Sequence, residues 1–307
     1  MRIAVIGVGG VGGYFGGLLA RAGEDVTFVA RGEQLRALQQ CGLTVKSVEG
    51  EFNVFPLKVV GAISELHDID LVLVATKTYD RDAVAAELAG AVKSTTIVIP
   101  LLNGIDNDEH IRERLPVGEV HPGLAYIISA RTSPGTIEQT AGPRTLIFGD
   151  RSRHENQRLR EIEALMRRAG ILATYSTTIE YELWTKFLWI TTFAGITSLC
   201  RAPIGRIVND ERGYAWFLSC FDEGMSVARA HGVELGDNPR AETVKKAENY
   251  RQTGSHAKAS MLVDIEHGRQ TEIESLNGKI VELAERYGVK VPIHEAIYNA
   301  VRIGTAL

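Results

Sequence analysis

Near its start the chain reads Gly7-Val8-Gly9-Gly10-Val11-Gly12, a G-x-G-x-x-G spacing placed after a short apolar run and at the opening of a helical pattern. In that context each glycine has its own task. Gly7 permits a tight turn, Gly9 lets backbone approach a pyrophosphate, and Gly12 lets the helix pack against the strand, while Gly10 is grouped with them as a binding position. The helix N-terminus adds free N–H groups and a partial positive charge for an anion. The chemistry implied is dinucleotide binding. The second strand ends at Ala30-Arg31 with no acidic residue at its tip, and Lys77 follows a later strand. Cations at those places suit a 2′-phosphate, so NADP is expected over NAD; Glu33 reading a ribose hydroxyl is the competing reading.

A nicotinamide supplies hydride, so the protein must hold a carbonyl and give a proton or positive charge to the oxygen that becomes alkoxide. Three places offer suitable groups. Asn103 sits in Leu101-Leu102-Asn103-Gly104, after a strand ending at Pro100; Lys186 stands in an apolar helix as Trp184-Thr185-Lys186-Phe187-Leu188; Ser260 and Glu272 belong to a run that continues to Asn277-Gly278. An ammonium with ordinary pKa ~10.4 is charged at neutral pH, and partial burial makes its proton easier to deliver. Plainer readings exist for each: a lysine snorkelling along a helix surface, a first-turn glutamate, a solvated serine, and an Asn-Gly turn.

The elements that must position these residues divide the chain. Arg2–Ile6, Asp25–Ala30, Leu71–Thr76 and Thr96–Pro100 read as strands of a parallel sheet, with helices at Val11–Ala22, Glu33–Gln40 and Arg81–Val92 between them. Leu43–Val48 and Glu51–Val60 read as a hairpin decorating that sheet, and 118–149 as antiparallel strands with turns at Ser133-Pro134-Gly135 and Ala141-Gly142-Pro143. Beyond Tyr175 the period becomes helical, through Tyr181–Leu199, Gly213–Ala230, Ala257–His267, Thr271–Tyr287 and His294–Ile303. The expectation is a dinucleotide-binding domain over 1–174 and a helical substrate or catalytic domain over 175–307, the junction lying in Leu172–Thr178.

Composition narrows the function classes. With 34 Lys and Arg against 38 acidic residues the net charge is −4, which gives no field to attract nucleic acid. The most apolar stretch, Phe187–Cys200, is shorter than the ~20 residues that span a bilayer and reads as a buried helix. Cys41, Cys200 and Cys220 form neither a disulfide framework nor a zinc knuckle, and no targeting segment is visible, so a cytoplasmic protein is expected. His121, His256, His267 and His294 lack metal-ligand spacing and read as surface or interface histidines; no metal is expected.

The ordered set of the glycine loop, LLNG, W-x-K-F-L, S-M-L-x-D-I and T-E-I-x-x-L-N-G resembles the ketopantoate reductase family, the 2-dehydropantoate 2-reductases of pantothenate biosynthesis, across nearly the whole chain. That resemblance implies an α/β Rossmann-type N-terminal domain, an all-helical C-terminal domain and a site in the cleft between them. It implies NADPH-dependent reduction of a 2-keto acid, ketopantoate or a close analogue. By it Lys186 would be the general acid, Glu272 would bind a substrate hydroxyl, Ser260 would help hold the carboxylate, and Asn103 would sit between nicotinamide and substrate. Members typically carry Asn one and two turns after the lysine, where this chain has Ile190 and Ala194, with Thr191 and Thr192 as nearby substitutes. Partners are then a small 2-keto acid, no nucleic acid and no membrane, and the apolar helices of the second half are compatible with a homodimer. Two other readings stay open: a 3-hydroxyacid or opine-type dehydrogenase of the same architecture, and a non-catalytic protein that senses NADP(H).

Overall fold

The computed structural model describes residues 1–305, in two compact units, Met1–Ile179 and a second that begins at Glu180. The first is built from β1 (Arg2–Ile6), α1 (Gly10–Arg21), β2 (Asp25–Val29), α2 (Gly32–Cys41), β3 (Leu43–Ser47), β4 (Gly50–Val54), β5 (Lys58–Val60), β6 (Leu71–Val74), α3 (Arg81–Leu88), β7 (Ile97–Pro100), α4 (Asn107–Arg112), β8 (Glu119–Val120), β9 (Gly123–Ser133), β10 (Thr136–Gly149), α5 (Gln157–Arg168) and β11 (Leu172–Ser176). Six of the strands form one parallel sheet in the order β5-β2-β1-β6-β7-β8. That is the doubly wound order in which ligands bind outside the carboxyl ends of the strands. Its central strands are continuous apolar runs because both faces are covered: Leu71, Val72, Leu73 and Val74 are all buried.

The second sheet runs β11-β10-β3-β4, with β9 antiparallel to β10. It corrects two expectations. The run Glu51–Val60 is not one hairpin arm: β4 pairs with β3, whereas Lys58–Val60 joins the parallel sheet beside β2. Nor does Ala141-Gly142-Pro143 turn the chain, since it is a register shift inside β10, while Ser133–Thr136 is the true hairpin turn. Far from decorating the first sheet, β3 pairs in parallel with β10 and contributes Leu43 and Val45 to the main core. That core fills the space between the sheets and takes in α1, through Phe15 and Leu19, and α5, through Leu159 and Met166. A smaller cluster covers the opposite face of the parallel sheet, where Val84, Ala85 and Leu88 of α3 and Ile111 of α4 pack.

One buried carboxylate ties the loop after β7 into this unit. Asp108, 1% exposed, accepts from Arg151 Nε and Nη2 at 2.9 Å each and from Arg112 Nη2 at 3.1 Å. Removing the carboxylate leaves two guanidiniums that still reach water, Arg112 49% and Arg151 23% exposed, so the cost is that of the lost charge-assisted hydrogen bonds, about 1.5–3 kcal/mol. Asp108→Ala is therefore expected to destabilise the protein by that amount in chemical denaturation; a loss below about 1 kcal/mol would contradict the structural role assigned to this cluster.

The second unit is helical: α6 (Ile179–Cys200), α7 (Ile204–Val208), α8 (Glu211–Ala230), α9 (Asn238–Thr253), α10 (Ser260–Glu266), α11 (Lys279–Tyr287) and α12 (Pro292–Gly304), with a π-helical turn at Glu274–Gly278 leading into α11. Amphipathic periodicity missed α9 because few of its residues are buried: only Pro239, Thr243 and Ala247. No helix among the described residues is long and apolar enough to cross a membrane. The histidine reading is corrected at two positions, since His294 is fully buried and His121 is 8% exposed.

Candidate active site

In the first unit β1 ends at Ile6 and Gly7 turns the chain with φ of +92°, a conformation that glycine adopts without strain. The glycines are there for different reasons. A Cβ on Gly12 would lie 2.1 Å from the Gly7 carbonyl oxygen, and one on Gly10 would lie 2.3 Å from the Ser129 carbonyl oxygen, so these two serve protein packing. A Cβ on Gly9 would meet nothing within 4 Å. Gly9 is also the residue capping α1, and it offers no side chain to the helix's first N–H groups. An open glycine beside uncapped N–H donors fits a pyrophosphate.

The surroundings of the loop are fixed by a residue that sequence reasoning missed. Gln34, 4% exposed, donates to the Val8 carbonyl oxygen at 3.0 Å and accepts from Gly135 N at 2.8 Å, tying the glycine loop to the β9–β10 turn. A glutamine near the start of an amphipathic helix carries no signal of that kind. Arg31 caps α2 with its side chain 69% exposed, and its Nη2 pairs with Glu87 Oε1 at 2.8 Å. Lys77 follows β6 at the carboxyl edge of the sheet, half-buried. Asn103 lies just beyond β7 at the same edge, where its carbonyl accepts from Asn107 Nδ2 at 3.1 Å and Gly104 takes φ of +118°. Turn geometry accounts for the Asn-Gly pair, which follows β7 at the carboxyl edge of the sheet.

In the second unit Lys186 and Glu272 are brought together. The Lys186 residue is partly exposed, yet protein crowds its ammonium closely enough that desolvation pushes its pKa from the usual lysine range down to about 8, with the Glu272 carboxylate pulling it back up. Glu272 is 5% exposed and precedes the π-helical turn instead of opening a helix. A snorkelling lysine would keep its head in water, so the surface reading of Lys186 does not describe this residue. Ser260 is the first residue of α10 and is exposed. One turn after Lys186 on α6, Ile190 is partly exposed, and one turn further Ala194 is buried. Thr191 and Thr192, the nearby hydroxyls, are both buried, and Thr191 donates to the Leu188 carbonyl at 3.2 Å.

The same unit holds a buried polar cluster. The Asn277 amide, fully buried, donates to the Thr191 carbonyl on α6 at 3.1 Å and to His294 Nδ1 at 3.0 Å. Its bonding implies a neutral His294 whose Nε2–H donates to the Cys220 carbonyl at 3.0 Å. Burial holds the His294 pKa down at about 4, so the ring stays neutral through the physiological range. The carbonyl oxygen of the Asn277 side chain is buried without a partner, a defect costing about 1–3 kcal/mol. Only the L-N-G run pointed to Asn277 in the sequence, and nothing pointed to its partners.

Comparison with known proteins agrees with both halves. The family model for ketopantoate reductase PanE/ApbA matches residues 3–153, and that for the ketopantoate reductase PanE/ApbA C terminal matches residues 178–304. The chain is 32% identical to the uncharacterized oxidoreductase YkpB of Bacillus subtilis, covering 97% of each. It is 30% identical to the 2-dehydropantoate 2-reductase of Archaeoglobus fulgidus, covering 98% of this chain and 97% of that one. Among solved structures, 2-dehydropantoate 2-reductase from Geobacter metallireducens superposes with a TM-score of 0.90 at 27% identity, covering 99% of this chain and all of the other. With a glycine loop that leaves room for a pyrophosphate, a desolvated lysine paired to a glutamate, and matches to both family models, the chain belongs to the ketopantoate reductase PanE/ApbA family of dinucleotide-dependent oxidoreductases.

Proposed function

We propose that this protein reduces a 2-keto acid with NADPH, the substrate being 2-dehydropantoate or a close analogue, and that Lys186 is the general acid. The observation that carries the reading is the Lys186 ammonium, charged at neutral pH yet held at a pKa of about 8 by desolvation against the field of Glu272. Bound NADPH supplies the hydride. The protein's own part is to hold the keto acid and protonate the oxygen on which charge develops. An acid with a pKa near the working pH does this best, being protonated at rest and a ready donor. Glu272 acts on Lys186 electrostatically and accepts a hydrogen bond from the substrate; Asn103 and Ser260 are its further proposed contacts. Ile190 and Ala194 leave the face of α6 beyond Lys186 without hydrogen-bonding groups, which supports an analogue less hydroxylated than ketopantoate.

For the cofactor, Arg31 supports NADP over NAD. Its pair with Glu87 is an exposed one, worth about 0–1 kcal/mol, so exchanging that carboxylate for a 2′-phosphate costs little. Lys77, at the same sheet edge, is the second proposed contact. The test is an NADPH-oxidation assay against ketopantoate and a panel of branched and straight 2-keto acids, with NADH in parallel. Turnover of at least one 2-keto acid with NADPH preferred is the expected result, and Arg31→Ala is expected to reduce that preference by about tenfold to a hundredfold. Activity on 3-hydroxy acids alone, or tight NADPH binding with no oxidation across the panel, would replace this reading with another.

A further inference from the structure

The Asn277 side chain joins the segment carrying Glu272 to the helix carrying Lys186. Leu276 N and Ser275 Oγ both donate to the Glu272 carbonyl at 3.1 Å, and Gly278 N donates to the Ile273 carbonyl at 2.9 Å. That last bond spans five residues, so the turn holds one residue more than an α-helical turn, which rotates the residues after it by about 100°. Asn277 lies in this turn, and its amide donates to the Thr191 carbonyl on α6 and to His294 Nδ1 on α12. Gly195, one turn beyond Thr191, gives the amide its seat: a Cβ there would stand 2.6 Å from Asn277 Nδ2.

We propose that Asn277 is a positioning residue of the active site, its amide fastening the Glu272 segment to the Lys186 helix and thereby setting the distance between carboxylate and ammonium. The pattern of satisfied and unsatisfied atoms argues for it. Both amide hydrogens are used while the side-chain oxygen is left buried without a partner. An apolar residue of similar size would fill the space without stranding an acceptor, so the group retained here is the donor. His294 serves as a dependable acceptor, because burial keeps the ring neutral and a neutral ring that gives its Nε2–H to the Cys220 carbonyl has Nδ1 unprotonated.

The role rests on the proposed pairing of Lys186 with Glu272, and the test reads that pairing without turnover. Full-length protein carrying isotope-labelled lysine is titrated by NMR, with the Lys186 signal identified by its absence in Lys186→Met. The charged group that acts on that ammonium is Glu272, from the segment before the π-helical turn. Glu272→Gln is expected to lower the Lys186 pKa. Asn277→Ser and Gly195→Ala, which removes or displaces the amide, are expected to lower it in the same direction by about 0.5 unit or more, with cooperative thermal unfolding retained. The proposal is overturned if Glu272→Gln moves the titration while a folded Asn277→Ser or Gly195→Ala leaves it in place. It is equally overturned if Glu272→Gln has no effect. Should Asn277→Ser fail to fold, Gly195→Ala carries the test, since alanine is the best helix former and keeps Asn277 in the chain. Full turnover in a Lys186→Ala protein would end the catalytic reading of the lysine and leave this titration to judge Asn277.

Discussion

Replacing Lys186 with alanine is expected to lower the turnover of keto-acid reduction by about 10²–10⁴-fold, the usual contribution of a positioned general acid. Cofactor affinity should stay unchanged, because the glycine loop belongs to the other unit. Alanine also leaves the buried Glu272 carboxylate without its cation, so Lys186→Arg is the sharper variant. It keeps a charge for Glu272, but a guanidinium with pKa above ~12 cannot give up its proton at neutral pH. Both variants should therefore bind NADPH, and neither should turn over at the wild-type rate. The wild-type enzyme should show the matching pH dependence. Burial lowers the lysine pKa to about 8, so the acid form is present below that pH and is lost above it. Reductive turnover is expected to fall as pH rises through 8, and the fall should be absent from the residual activity of Lys186→Ala. Steady-state rates between pH 6 and 10, with binding measured by fluorescence, decide the matter; undiminished turnover in Lys186→Ala removes the assignment.

The second large effect belongs to Gly9. Its φ of −95° lies where any residue can sit, and a methyl group there would touch no protein atom, so Gly9→Ala should fold with nearly wild-type stability. The methyl would project into the space assigned to the pyrophosphate, and each charge-assisted hydrogen bond lost is worth about 1.5–3 kcal/mol. Dinucleotide affinity is expected to drop by at least tenfold to a hundredfold. Gly12→Ala is the contrasting control. Its methyl would collide with the Gly7 carbonyl oxygen at 2.1 Å, so the loss there should appear in the melting curve as well as in binding. Calorimetric titration beside thermal melts separates the two. Equal affinity in wild type and Gly9→Ala would mean that the loop does not hold the phosphates.

Where a residue's task is set by its immediate neighbours in the chain, the sequence is readable. The strand–glycine–helix order announces β1, the loop and α1, and the apolar surroundings of Lys186 announce a lysine in greasy company. Tasks set by distant partners are not. Lys58–Val60 alternates like the end of a hairpin arm, and only its pairing with β2 shows that it crosses to the other sheet. His294 has no neighbour that marks it as buried, because its partners come from 17 and 74 positions away. The helix α9 escapes for a different reason: its exposed, highly charged faces give little apolar rhythm for periodicity to detect. The departures at Ile190 and Ala194 are visible in sequence, but the burial of Thr191 and Thr192 beside them is visible only in the structure.

The glycines along α1 bear on how a nucleotide would be received. Side-chain carbons added at Gly13, Gly16 and Gly17 would run into Ile137 of one sheet, Phe28 of the other, and Leu43, so the helix is gripped on opposite flanks by both layers. A helix held in that way has little motion left to surrender when an anion arrives at its tip. The phosphates would meet a receptor shaped in advance, and the entropy that a floppy loop forfeits on capture has here been given up already, when the chain folded.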